Sequence, residues 1–96
     1  MRVTFHPAAE IELYDAALYY ESQRGGLGST FLQASETAMD EIHENPMASP
    51  RVRGVVRSKR VRRFPYSVVY SAENGDLRIL AIANQNRRPL YWLRRQ

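Results

Sequence analysis

The first half of the chain places apolar residues at helical spacing. Within residues 7–23 an apolar stripe recurs at i, i+3 and i+7 and consists of Ile11, Tyr14 and Leu18, with Ala17 alongside. This period predicts an amphipathic helix whose stripe packs into the core. Pro7 suits the first turn of such a helix, and Gly25-Gly26 gives it a stop.

A second helical pattern extends from Leu27 to Glu44, and Asn45-Pro46 ends it. Its predicted core face contains Phe31, Ala34, Ala38 and Ile42. Because the Gly-rich connection is only a few residues long, the two helices are expected to form an antiparallel pair that lies on another apolar surface. The glycines follow a helix rather than a strand, so we interpret them as a turn and not as a phosphate-binding loop.

From Val55 onward the apolar period changes to two, which is typical of half-buried strands. The strongest local pattern is a hairpin around Asn74-Gly75, with strand faces that hold Tyr66, Val68 and Tyr70 on one side of the turn and Leu77, Ile79, Ala81 and Ala83 on the other. Pro65 belongs at the turn before this hairpin because it cannot donate to a ladder, and Val55 to Val61 is the preceding strand. Residues 46–53 are expected to form a Pro-containing loop.

With a short alternating segment at residues 2–5, the predicted order is β-α-α-β-β-β, followed by a basic tail. This order predicts an α+β fold in which a mainly antiparallel sheet packs against an N-terminal helical hairpin. The chain has 96 residues, of which 44% are hydrophobic, and we expect one domain over residues 1–96.

Composition excludes several kinds of site. The absence of cysteine removes disulfides, thiol nucleophiles and iron–sulfur clusters. His6 and His43 lie too far apart for a two-histidine metal face, and Lys59, the only lysine, follows no phosphate-binding loop, so we expect no metal and no cofactor. No apolar run approaches the ~18 residues of a membrane span and no signal peptide is visible, which predicts a cytoplasmic protein without a membrane partner.

Charge is divided unevenly along the chain. Residues 1–50 carry two arginines and eight acidic residues, whereas residues 51–96 carry twelve basic and two acidic residues. Such a division is typical of a protein whose basic part meets an anionic partner, either nucleic acid or an acidic protein segment. Neutralisation of one half by the other is the alternative interpretation.

Two basic clusters are candidate binding surfaces. One contains Arg57, Lys59, Arg60, Arg62 and Arg63, and the other contains Arg87, Arg88, Arg94 and Arg95 around Tyr91 and Trp92. Guanidinium groups bind phosphate or carboxylate, and interleaved aromatic rings stack on bases or anchor interfaces. Strand alternation places Arg57, Lys59 and Arg63 on one face, which also describes a solvated edge strand. We expect Trp92 to pack into the core. For Tyr91 the sequence does not distinguish between packing and binding.

The sequence resembles the RelE/ParE superfamily of toxins from type II toxin–antitoxin modules, including plasmid stabilisation proteins, over nearly its whole length. The shared residues include the first helix with Ala9, Glu12, Leu13, Tyr19, Tyr20 and Glu21, then Leu27-Gly28-x-x-Phe31-Leu32 and Ile42-x-x-Asn45-Pro46. The more diagnostic motifs are Phe64-Pro65-Tyr66-x-Val68-Val69-Tyr70, Ile79-x-Ala81-x-Ala83 and Arg87-Arg88-Pro89-x-Tyr91-Trp92.

Two positions depart from the pattern that this resemblance implies. Asn84 stands where relatives with this ending carry histidine, and asparagine does not titrate near neutral pH. Ser67 stands where the ribonuclease branch places a strand arginine. By resemblance to that branch, Arg57, Lys59, Arg87 and Tyr91 are the candidates to neutralise a scissile phosphate, but the set lacks this arginine.

The resemblance implies a growth-inhibiting toxin that a cognate antitoxin neutralises by wrapping its helices and sheet. The incomplete nuclease set favours a ParE-like, non-enzymatic poison that binds DNA gyrase on cleaved DNA. The alternatives are a RelE-like endoribonuclease that cuts mRNA on the ribosome and a small nucleic-acid-binding module. In each case the expected target-binding or nucleic-acid-binding residues are Arg57, Lys59, Arg63, Arg87, Arg88, Tyr91, Trp92 and Arg94.

Overall fold

A computed structural model describes residues 2–96. Its elements are β1 (Arg2–Phe5), α1 (Pro7–Gln23), α2 (Leu27–Glu44), β2 (Arg51–Arg53), β3 (Val56–Arg60), β4 (Tyr66–Glu73), β5 (Asp76–Asn84) and a 3-10 helix (Leu93–Arg95). The strands form one sheet in the order β1-β5-β4-β3-β2, in which β1 runs parallel to β5 and the other neighbours are antiparallel. The predicted α+β class, the helical hairpin and the mainly antiparallel sheet are confirmed.

Both helices span the residues that the sequence predicts, and side-chain caps define where each helix begins. The His6 ring accepts a hydrogen bond from the Ala8 amide at 3.1 Å and so caps the start of α1. The Glu21 carboxylate accepts hydrogen bonds from the amides of Gly26 and Gly28 at 3.0 to 3.1 Å. This carboxylate occupies the free amides at the start of α2, so the glycine cluster is a capped turn.

Helix α1 buries the face opposite to the predicted one. Ile11, Tyr14 and Leu18 are 61%, 54% and 69% exposed, so the prediction that this stripe packs into the core is wrong. The buried positions are Ala9, Leu13, Ala16 and Ala17. Small side chains occupy the core face because α1 approaches α2 closely. A Cβ on Gly28 would lie 2.5 Å from the Ala17 carbonyl oxygen. On α2 the predicted face is correct, with Phe31, Ala38 and Ile42 buried.

An aromatic cluster fastens the helical pair to the sheet. The Tyr20 ring lies 4.8 Å from Phe64 and 5.3 Å from Phe31, measured between ring centroids, and Phe31 lies 5.1 Å from Tyr66. Tilted and edge-on contacts of this kind stabilise a core beyond the apolar area that they bury. The neighbouring Tyr19 is 58% exposed.

The predicted hairpin is confirmed, with Asn74 (φ 52°) and Gly75 (φ 79°) both left-handed, as its two-residue turn requires. One detail of β5 is wrong in the prediction. Tyr70 pairs with Ile79 while Val69 pairs with Ala81, so Leu80 is an extra residue and the strand bulges. A bulge reverses the alternation beyond it, and Ala81 therefore lies on the sheet face opposite to Leu77 and Ile79.

The expected loop at residues 46–53 contains a strand that sequence analysis did not predict. Strand β2 is only three residues long, and all three are exposed, so no buried face marks it in the sequence. It pairs with β3 through Arg51 and Arg57 and through Arg53 and Val56. Within residues 2–96 the sheet consequently has five strands, and β2 is a short edge strand that carries two arginines.

Candidate functional site

The chain after β5 crosses the sheet face that the helices leave free. Trp92 is buried there in a second apolar cluster with Val56, Val69, Leu80 and Ala81, so the expectation that Trp92 packs into the core is confirmed. Beside it lies a pocket of about 280 Å³ whose polar lining consists of Ser58, Ser67, Asn84, Gln85, Arg87, Arg88 and Tyr91. We call it the C-terminal pocket.

A network of charged groups holds the aromatic side of this pocket. The Arg87 guanidinium lies 3.9 Å from the Tyr91 ring centroid. The Tyr91 hydroxyl donates a hydrogen bond to Glu12 at 2.8 Å, and Arg95 binds the same carboxylate through both terminal nitrogens at 2.8 and 3.0 Å. The Glu12 and Arg95 side chains are only 15% and 17% exposed, so they form a nearly buried, bidentate ion pair.

The same two residues cap the free edge of β5. Strand β1 pairs with β5 only as far as Ile79, which leaves the backbone beyond it without a strand neighbour on that side. There Glu12 accepts a hydrogen bond from the Ile82 amide at 3.1 Å, and Arg95 donates to the Leu80 carbonyl at 3.1 Å. The network therefore fixes the C-terminal segment relative to both α1 and the sheet.

These contacts control the acid–base state of Tyr91. Burial, followed by the hydrogen bond to Glu12 and the charge of that carboxylate, raises the pKa of the Tyr91 phenol well above its usual range, although Arg95 and Arg87 oppose the change. The phenol is protonated at neutral pH, and its proton is committed to Glu12. It is suited to hold a ligand in place and poorly suited to act as a base.

A second open pocket, of about 390 Å³, lies on the other side of the end of β5. It is lined by Glu12, Asp15, Ala16, Tyr19, Tyr66, Ile82, Asn84, Asn86 and Arg87. Asn84 and Arg87 line both pockets. The exposed Arg87 side chain therefore stands on the ridge between them, where it is accessible to a partner from either side.

The predicted site residues do not form one surface. The C-terminal pocket brings together Arg87, Arg88, Tyr91 and Trp92. It also contains Ser67 and Asn84, the two positions that depart from the family pattern. Arg94 is exposed on the 3-10 helix and does not line the pocket. Arg57 and Lys59 pair across the ladder with Tyr70 and Val68, which face the helices, so their side chains also leave the sheet on the helix face, away from the C-terminal pocket.

Arg57 and Lys59 contact other parts of the chain. Arg57 donates to the carbonyl oxygens of Met47 and Ser49 at 3.0 and 2.7 Å and so holds the loop that precedes β2. The Lys59 ammonium lies 3.4 Å from Glu41 on α2. Arg63 lines a separate groove beside α2. The four candidates for phosphate neutralisation therefore do not converge, because Arg57 and Lys59 are separated by the sheet from Arg87 and Tyr91.

The contact between Glu12 and Arg95 is not predictable from the sequence, in which Arg95 belongs to a basic run. The two residues are 83 positions apart, and nothing local in either segment indicates that they meet. The available indication was an acidic residue in the first helix next to the buried Leu13, with a surplus of arginines at the end of the chain.

The described residues 2–96 contain no group of three or more histidine, cysteine, aspartate or glutamate side chains placed to hold a metal ion. Over the same residues, no helix is long and apolar enough to cross a membrane. The polar groups that line the two pockets are mainly arginines, amides and hydroxyls, which bind anions and hydrogen-bond acceptors.

Comparisons with known proteins agree with this architecture. Among solved structures, a chain of the chromosomal ParDE toxin–antitoxin system from P. aeruginosa is similar in fold, with a TM-score of 0.77 and 17% sequence identity over 88% of this chain and 95% of that one. No curated protein sequence matches the chain. The sequence model of the ParE toxin of the type II toxin–antitoxin system parDE matches residues 3–89. Because that match spans nearly the whole chain, the protein belongs to the ParE toxin family of type II toxin–antitoxin systems.

Proposed function

We propose that this toxin arrests growth by trapping DNA gyrase on cleaved DNA and that a cognate antitoxin neutralises it. The observation that carries the proposal is the separation of the candidate nuclease residues. Arg57 and Lys59 are bound to a loop and to Glu41 on the helix side of the sheet, while Arg87 and Tyr91 lie on the other side. A phosphoryl-transfer site needs its groups to meet on one phosphate, and these four residues do not.

The C-terminal pocket is the surface that we assign to the target. It combines the exposed arginines Arg87 and Arg88 with a tyrosine and a rigid wall around Trp92. Aromatic and arginine side chains on a rigid support are typical centres of protein interfaces. A protein target needs such a surface and no proton transfer, so Asn84 in place of histidine is compatible with this function.

Purified gyrase tests the proposal. With stoichiometric toxin, negatively supercoiled plasmid and gyrase, we expect linear DNA to accumulate after the protein is digested, and we expect prior addition of the antitoxin to abolish it. The double variant Arg87→Ala, Arg88→Ala should reduce the linear product about tenfold or more, a loss of roughly 1.4 kcal/mol or more in binding. The double variant Arg51→Ala, Arg53→Ala removes the same charge from β2 and should retain the activity.

The alternative activity has its own readout. Absence of linear DNA at stoichiometric excess, together with new mRNA 5′ ends in phase with codons after induction in cells, would replace the gyrase proposal by ribosome-dependent RNA cleavage. Unchanged toxicity of the Arg87→Ala, Arg88→Ala variant would show that neither activity requires the C-terminal pocket.

We assign antitoxin docking to the exposed apolar stripe of α1. Ile11, Tyr14 and Leu18 lie on the solvent side of the helix, and Tyr14 and Leu18 border an open, mainly apolar groove of about 350 Å³ between the two helices. Helices α1 and α2 contain eight acidic residues and no lysine or arginine. An apolar stripe with an acidic surround fits an amphipathic antitoxin helix whose flanks are basic.

Growth rescue tests this docking surface. Leu18→Asp places a charge on the stripe without touching the core, so the variant should remain toxic while co-expressed antitoxin no longer rescues growth. Gln23→Asp adds the same charge to an exposed position at the end of α1 and should leave rescue intact. Rescue of the Leu18→Asp toxin at wild-type antitoxin levels would contradict the assignment.

A further inference from the structure

We infer that a groove between α2 and the connection from β3 to β4 binds the phosphodiester backbone of duplex DNA. This open groove has a volume of about 290 Å³ and is lined by Thr30, Gln33, Ala34, Thr37, Ala38, Glu41, Arg60, Arg62, Arg63 and Phe64. We call it the α2 groove. The choice of DNA as the polyanion rests on the proposed function, because a toxin seated on a gyrase complex lies beside the DNA that gyrase holds.

The two walls of the α2 groove supply different donors. One wall presents Arg60, Arg62 and Arg63. The facing wall of α2 presents the hydroxyls of Thr30 and Thr37 and the amide of Gln33. Guanidinium, hydroxyl and amide groups are the donors that proteins place on DNA phosphates.

The charge at the α2 groove is only partly neutralised within the chain. Among residues 2–96, Glu41 is the one carboxylate that lines the groove, and it is shared by Lys59 at 3.4 Å and Arg62 at 3.2 Å. The Arg62 side chain is 76% exposed, so its pairing with Glu41 is a weak surface contact that a phosphate can replace. Arg63 is exposed, and the groove therefore carries surplus positive charge.

The backbone of Arg63 gives an independent indication that this side chain serves a partner. Its φ of 72° lies in the left-handed region, which disfavours residues with a Cβ. Among the described residues, the other non-glycine positions with positive φ are Asn74, in the hairpin turn, and Leu90, at the C-terminal pocket. Arg63 lies in a turn closed by a hydrogen bond from the Phe64 amide to the Val61 carbonyl oxygen at 3.4 Å, where glycine would fit without strain. An arginine at this strained position, beside other donors, supports a binding role for its side chain.

Fluorescence anisotropy with a labelled 20-base-pair duplex tests the inference on the full chain, without gyrase. The test variant is Arg62→Ala, Arg63→Gly, and the matched control is Arg51→Ala, Arg53→Ala, which removes two charges from β2 at the opposite end of β3. We expect the test variant to bind at least tenfold more weakly at low salt. Its plot of log K against log salt should be shallower by about 1.8, since each lost phosphate contact contributes about 0.9.

Thermal unfolding of the same proteins separates binding from folding. Arg63→Gly relieves the left-handed strain, so this single variant should keep or raise the melting temperature while it loses DNA affinity. Weaker binding accompanied by a lower melting temperature would indicate a structural role for Arg63 and overturn the inference.

Two further outcomes would also overturn it: equal affinity and salt dependence of the test and control variants, and displacement of the duplex by poly-glutamate at a lower charge concentration than by unlabelled DNA. Gyrase cleavage assays on the same samples distinguish this failure from failure of the proposed function. If wild-type toxin traps gyrase but the test variant binds DNA as well as wild type, only the inference about the α2 groove fails. If DNA binding depends on the groove but wild-type toxin does not trap gyrase, only the gyrase proposal fails.

Discussion

At the scale of single residues, Glu12 ties the most distant parts of the chain together. It accepts hydrogen bonds from the Ile82 amide, the Tyr91 hydroxyl and both terminal nitrogens of Arg95. Removing one partner of a nearly buried ion pair leaves the other charge without compensation in a poorly solvated place. Glu12 therefore positions the C-terminal pocket although it does not line that pocket itself.

We expect Glu12→Ala to lower the free energy of unfolding by about 3 to 5 kcal/mol, measured by urea denaturation. Glu10→Ala removes an exposed carboxylate from the first turn of the same helix and should change it by no more than about 0.5 kcal/mol. A loss below about 1 kcal/mol for Glu12→Ala would mean that the network contributes specificity and little stability.

The raised pKa of Tyr91 predicts a loss of stability in alkali. In the unfolded chain the phenol ionises near its ordinary pKa of about 10, whereas burial and Glu12 keep it protonated in the folded chain to higher pH. The stabilisation is therefore complete below about pH 10 and is lost as the pH rises through the folded-state pKa. Because Tyr91 is only half-buried, the slope should be less than about 1.4 kcal/mol per pH unit.

Urea denaturation from pH 9 to pH 12 measures this effect as the difference between wild type and Tyr91→Phe. The variant lacks the ionisable group, so its stability should fall less steeply above pH 10. Parallel curves for the two proteins would show that Tyr91 ionises equally easily in the folded and unfolded chains.

At the scale of elements, α1 is apolar on two faces, and only one of them packs within the chain. Leu13 is 6% exposed and Leu18 is 69% exposed, although they are the same residue type on the same helix. We expect Leu13→Ala to cost about 2 to 5 kcal/mol of stability in denaturant unfolding. Leu18→Ala should cost less than about 0.5 kcal/mol, and equal losses for the two would contradict the assignment of faces.

Helix α1 shows which features of the fold can be predicted from the sequence and which cannot. Periodicity and turn residues predict both helices, the hairpin around Asn74-Gly75 and the order of the elements apart from β2, because these depend on local chemistry. Periodicity cannot decide between two apolar faces of α1, since that choice depends on how closely Gly28 lets the helices approach. Nor does it indicate the extra residue at Leu80, which is accommodated only through pairing with β4.

The candidate site is less predictable than the fold for a similar reason. The motif around Arg87, Arg88, Tyr91 and Trp92 indicates one surface, because its residues lie close together in sequence. Arg57 and Lys59 look equivalent to these residues in composition, but the sheet separates them. Which face a strand residue occupies depends on its ladder partner, and the ladder forms only in the folded sheet.

At the scale of the whole molecule, charge and exposed apolar surface lie in different places, so the proposed partners would meet different surfaces. The helical layer is acidic and carries the exposed apolar stripe, while the α2 groove and the C-terminal pocket are rich in arginine. Neutralisation of one half by the other does occur, through the pairs that Glu41 and Glu12 form, but most of the basic residues remain outside it. This arrangement leaves the arginines available to an anionic partner.

The proposed action on gyrase can be tested by measuring the DNA covalently linked to gyrase in cells within minutes of induction without antitoxin. We expect gyrase-linked DNA ends to rise together with growth arrest and to return to background when the antitoxin is co-expressed. Growth arrest with no increase in gyrase-linked ends would show that gyrase is not the target.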